Sequence, residues 1–72
     1  MYHEGGDAVK LREARRRARL TQEEVAHLIG CSTMTIARWE RGERIPRLTD
    51  ARKFSAITRV PLEELEVVDR PD

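Results

Sequence analysis

Two helix starts and two helix stops stand close together in this chain, and they constrain its fold more than any other feature. Thr21 followed by Glu24 forms a capping box, in which the threonine oxygen accepts from the amide three residues on and the glutamate reaches back to the Thr21 amide. Gly30 supplies a residue that takes positive φ where this helix must stop. Ser32 is an N-cap for the next helix, Thr33 to about Arg41, and Gly42 ends it. Two helices joined by so short a turn at a steep angle need a small side chain where their axes cross, a glycine at the turn, and bulky anchors on the second helix. Ala26, Gly30, Ile36 and Trp39 fill those roles.

The flanking sequence adds helices around that pair. Leu11, Ala14, Arg15 and Ala18 fall at i, i+3, i+4 and i+7, which predicts a first amphipathic helix over about 8–18. Leu48, Ala51, Phe54 and Ser55 predict a fourth over about 48–58, after a loop closed by Pro46, and a last turn, Leu62 to Leu65, follows Pro61. There is no β-alternation, internal repeat or low-complexity tract. The reading is all-α, a compact five-helix domain over 8–66, with a flexible leader at 1–7 and a tail at 67–72. Its predicted core is Leu11, Ala14, Val25, Ala26, Leu28, Ile29, Ile36, Trp39, Leu48, Ala51 and Phe54. Trp39 shares a face with Ile36, which points to core packing rather than stacking on a ligand.

A chain of 72 residues buries only about 60% of its unfolded surface, so it holds one domain. Cys31 has no second thiol to pair with, and His3 and His27 make no zinc ligand set, so burial must hold the fold and no cofactor or metal is expected. The opening MYHEGGDAV lacks the basic start and apolar run of a signal peptide, and no stretch approaches the roughly 20 apolar residues of a membrane span. These features predict a soluble, cytoplasmic protein with no membrane partner. A glycine-rich phosphate loop, a nucleophile with an adjacent base and a metal cluster are all missing, which argues against an enzyme. The net charge of +1 hides an asymmetry: through Arg47 ten basic residues face seven acidic ones, and beyond it four face six. The basic excess therefore coincides with the helix pair and suits an anionic partner.

The segments LREARRRARLTQEEVA, GCSTMTIARWERGERIP and VPLEEL resemble the phage repressor and Cro type of helix-turn-helix domain, the family often named after the xenobiotic response element. The resemblance runs from about Leu11 to Leu65. It implies a repressor-like fold in which Thr33–Arg41 is a recognition helix lying in the major groove of double-stranded DNA. By position, Thr33, Met34, Ala37 and Arg38 match the family's base-reading residues. Gln22 matches a glutamine that holds a phosphate together with its helix amino terminus, and Thr35, Arg41, Arg44 and Arg47 match further phosphate or groove-edge positions. Arg15 and Glu40 match an arginine and a glutamate that the family often pairs. The family's usual hydrophobic-then-glycine ending of the fourth helix falls on Thr58 and Arg59, so either Arg59 takes a left-handed conformation or that helix ends differently.

The function this implies is a sequence-specific transcriptional regulator, a repressor reading an inverted-repeat operator as a homodimer and associated with the nucleoid. The alternative on the same fold is an antitoxin or adaptor that binds a partner protein, a toxin or another regulator. Arg16, Arg17 and Arg19 either touch the DNA backbone or serve as solubilising charges. Part of the self-association is expected on Val60, Leu62, Leu65, Val67 and Val68, a set that exceeds what so small a core should absorb.

Overall fold

The computed structural model describes residues 8–66. They form β1 (Val9–Lys10), α1 (Leu11–Arg17), α2 (Gln22–Ile29), α3 (Thr33–Arg41), α4 (Leu48–Thr58), a 3-10 turn (Leu62–Glu64) and β2 (Leu65–Glu66). The expected leader at 1–7 and tail at 67–72, with Val67 and Val68, lie outside the described residues. Four α-helices and one 3-10 turn replace the expected five helices, within the same mostly helical class. Among the described residues, no helix is long and apolar enough to cross a membrane.

The helix pair forms as its caps dictate. The Thr21 hydroxyl accepts from the Glu24 amide at 3.0 Å and the Glu24 carboxylate accepts from the Thr21 amide at 2.8 Å. Ser32 Oγ accepts from the Thr35 amide at 3.1 Å. Gly30 and Gly42 end α2 and α3 in the left-handed conformation, at φ 95° and 78°. α2 packs against both α3 and α4, while α1 lies across α3 and α4. The core between them contains Leu11, Ala14, Val25, Ala26, Ile29, Ile36, Trp39, Ala51 and Phe54.

Two predicted core residues are on the outside. Leu28 is 56% exposed because Val25, Ala26 and Ile29 define the buried arc of α2, and Leu28 projects roughly 100° round the helix from its middle. Leu48, at the first position of α4, is 57% exposed, about a quarter turn off the arc of Ala51, Phe54 and Thr58.

The two ends of the domain depart furthest from the expectation. Helix one does not begin at residue 8: Lys10 is extended (φ −69°, ψ 150°), and Val9 and Lys10 pair in parallel with Leu65 and Glu66. Val9 and Leu65 face each other inside the core, with Lys10 and Glu66 exposed beside them. Val60 is buried as well, and Leu62 packs on the core's edge. Of the residues expected to serve self-association, Val60, Leu62 and Leu65 therefore complete this chain's own core, because β1 and the 3-10 turn bring extra apolar surface that helices alone would not supply.

α2, α3 and α4 are capped by a left-handed residue and α1 is followed by one just past its Ala18 cap, but only two of these four residues are glycines. Arg19 (φ 62°) follows α1, with the Arg19 amide donating to the Arg16 carbonyl and the Leu20 amide to the Arg15 carbonyl. Arg59 (φ 64°) follows α4, its amide donating to the Ser55 carbonyl at 2.7 Å. The first of the two alternatives for Arg59 is thus the one adopted. Each such residue costs roughly 1–2 kcal/mol relative to an unstrained backbone, and the carbonyls they satisfy at the helix ends offset part of that cost.

Candidate nucleic-acid interface

The amphipathic pattern of α3 divides it into two working faces. Ile36 and Trp39 point into the core, at 0% and 7% exposure, and they set the helix's rotation about its own axis. That rotation leaves Thr33, Met34 and Arg38 exposed and Ala37 half-buried. The four proposed base readers thus share the outward side, with Met34 and Arg38 reaching furthest from the backbone. Thr35 is half-buried, and its hydroxyl lies 2.9 Å from Ser32 Oγ.

A buried carboxylate pins this arrangement. Glu40, in the last turn of α3, has a side chain with no exposure, and it accepts from Arg15 Nε at 2.5 Å and from Arg15 Nη2 at 3.1 Å. Gln22 Nε2 donates to the same carboxylate at 3.0 Å, and Arg12 Nε stands 3.6 Å away on the solvent side. Arg15 also donates from Nη1 to the Leu20 carbonyl at 2.9 Å. One carboxylate therefore joins α1, the start of α2 and the end of α3. Burial alone would raise its pKa, but hydrogen bonds from Arg15 and Gln22 and the charges of Arg15 and Arg12 outweigh burial and hold the carboxyl below its ordinary value.

Gln22 sits in the first turn of α2, half-buried, with one amide hydrogen committed to Glu40 and a second left over. Gln22 and Thr33 share a shallow depression with Arg16 and Arg19. The charge of those two arginines was legible in the sequence. Their position beside α2 was not, because it depends on how α1 crosses the pair and on the left-handed turn at Arg19.

Beyond α3, a cleft of about 160 Å³ opens between the helix and the loop leading to α4, and Arg38, Arg44 and Arg47 line it. Arg44 and Arg47 are exposed, and Arg47 is the residue immediately before α4. Arg41 is exposed too, but it is paired: Nε donates to Glu43 Oε2 at 2.8 Å and Nη2 to Glu43 Oε1 at 3.0 Å. Hydrogen bonding from Arg41, and behind it the charges of Arg41 and Arg38, holds the Glu43 carboxyl below its ordinary value. Cys31, in the turn between α2 and α3, is half-buried, and burial followed by the Asp50 charge pushes its thiol up against the opposing effect of Lys53.

Residues 11–65 match the helix-turn-helix family along their whole span. The chain belongs to the Cro/C1-type helix-turn-helix family. Within this helix-turn-helix, α2 and α3 are the two namesake helices and Gly30–Ser32 the turn. The chain is also similar to a curated protein of Bacillus subtilis (strain 168), named as the uncharacterized HTH-type transcriptional regulator RghRB, with 39% identity over 57 residues. That similarity covers 78% of this chain and 41% of the relative, so the helix-turn-helix chain spans about two fifths of the relative's length. No solved structure gives a significant match.

Proposed function

We propose that residues 8–66 bind duplex DNA and regulate transcription, acting as a repressor that places α3 in the major groove of an inverted-repeat operator. The observation that carries this reading is the outward row of Thr33, Met34, Ala37 and Arg38 on a helix whose rotation is set by Trp39 and Glu40. Met34 and Ala37 suit thymine methyl groups, and Arg38 is the one long donor among the four, suited to the paired acceptors of guanine. Arg44, Arg47 and the free amide hydrogen of Gln22 are the phosphate contacts, with Thr35 at the groove edge; Arg41 stands beside them but is occupied by Glu43 and is left out of the contact set. Arg15 and Glu40 hold the reading helix in register.

One short helix reaches only a few base pairs, too few for selectivity against a genome, so two copies bind together with half-sites about 34 Å apart. Ile45 and Leu48, 55% and 57% exposed beside the Arg44–Arg47 loop, supply apolar surface toward the second copy. The proposed role is non-catalytic and belongs in the cytoplasm, at the nucleoid.

Selection of bound sites from a random duplex pool, followed by anisotropy titration of the selected site across a salt series, tests the proposal. An inverted repeat bound by two copies, with affinity falling steeply as salt rises, is the expected outcome. Failure to bind any duplex at low salt would instead favour an adaptor or antitoxin role on the same fold.

A further inference from the structure

Arg41 is the last residue of α3, and its guanidinium already has a partner. Its two hydrogen bonds to Glu43 form the same fork that arginine makes with a phosphate. The backbone places Glu43 there: Gly42 turns left-handed, its amide donates to the Trp39 carbonyl at 3.1 Å, and the Glu43 amide donates to the Arg38 carbonyl at 2.9 Å. This Schellman ending fixes the residue after the glycine beside the last turn of the helix. Both side chains remain about half exposed, at 49% and 51%, so the pair can open without unfolding anything. Among the described residues, no carboxylate lies within ion-pair distance of Arg38, Arg44 or Arg47, which sets Arg41 apart from the other arginines around the reading helix.

Resting on the DNA-binding reading, we propose that Glu43 tempers affinity by holding Arg41 in an internal pair, so that Arg41 adds almost nothing to the sequence-independent attraction for duplex. The effect is one of ion exchange. An unpaired arginine that neutralises a phosphate releases a condensed cation and steepens log affinity against log salt by about 0.9. When Arg41 leaves Glu43 for a phosphate it releases the same cation, but it uncovers a carboxylate that takes one up, and it gives up two hydrogen bonds to gain two. The net ion release is close to zero. Arg44 and Arg47, with no such partner, contribute in full.

Anisotropy titrations of a random-sequence duplex across a salt series test this with wild type, Glu43→Gln, Arg41→Ala and the double variant. Glu43→Gln should steepen the slope by about 0.9, equivalent to roughly eightfold tighter binding at 0.1 M salt for curves that converge at 1 M. Arg41→Ala should leave the wild-type slope unchanged, and the double variant should return to it. Thermal melts of all four should coincide, because both side chains are exposed. Three outcomes overturn the proposal: Glu43→Gln binds no tighter than wild type, its gain survives removal of Arg41, or Arg41→Ala alone flattens the wild-type slope. No duplex binding by the wild type overturns the DNA-binding reading and this proposal with it, a failure visible before any variant is compared.

Discussion

Glu40 and Glu43 stand three residues apart at the end of α3, and each accepts a fork from an arginine through the same atoms, Nε to Oε2 and Nη2 to Oε1. Their surroundings differ completely. The Glu40 side chain is fully covered and takes a third hydrogen bond from Gln22, while Glu43 is half in water. Breaking a buried pair strands a charge in a poorly solvated place, whereas an exposed pair exchanges readily with water, salt or another anion. The buried Glu40 fork therefore bears on stability and the exposed Glu43 fork hardly at all, although both are built from the same residue types; the division proposed for α3 is that its inner face holds the fold and its outer face meets DNA.

Substitutions on the two faces can break this division. The largest effect should come from Trp39→Ala on the inner face, which removes a buried indole and costs about 3–5 kcal/mol, comparable to the whole stability of so small a domain. Chemical denaturation followed by circular dichroism measures it, and a wild-type melt would mean that the indole does not hold the helix.

Glu40→Gln should follow at about 3 kcal/mol, since Arg15 is left buried without its counter-charge. The pH dependence carries a sign as well. Glu40 titrates lower in the folded chain than in the unfolded one, so its contribution is present above the ordinary carboxylate value of 4.5 and is lost as pH falls through the folded value. Wild type should lose stability below about pH 4.5 more steeply than Glu40→Gln. Parallel acid profiles would show that the pair contributes nothing.

On the outer face, Arg38→Ala should leave the melt unchanged and flatten preference at one base pair of each half-site, by about 1–3 kcal/mol of discrimination. A uniform loss on specific and random duplexes would make Arg38 a backbone clamp and leave readout to Thr33, Met34 and DNA shape.

How far each element was legible depends on where its determinants lie. The α2–α3 pair could be read to the residue, because Thr21, Glu24, Gly30, Ser32 and Gly42 act on backbone groups within a few positions of themselves. The outward positions of Thr33, Met34 and Arg38 followed from the spacing of Ile36 and Trp39. Leu28 and Leu48 were misplaced because an apolar side chain near the edge of a helical arc is buried only if a neighbour covers it. The Glu43–Arg41 fork and the third hydrogen bond on Glu40 gave no sequence signal, since arginine and glutamate look alike whether solvated or paired.

The helix ends draw the same line most sharply. Glycine at the ends of α2 and α3 has free access to positive φ, so the sequence by itself determined where those helices stop and hence the turn that orients α3. Arg19 and Arg59 take the same left-handed geometry against their own preference, and no local rule asks it of them. Only the tertiary structure decided it, together with the parallel pairing of Val9–Lys10 and Leu65–Glu66. The pairing and Arg59 lie at the two ends of the domain, where burying Val9, Val60 and Leu65 in one core outweighs the strain of a left-handed residue.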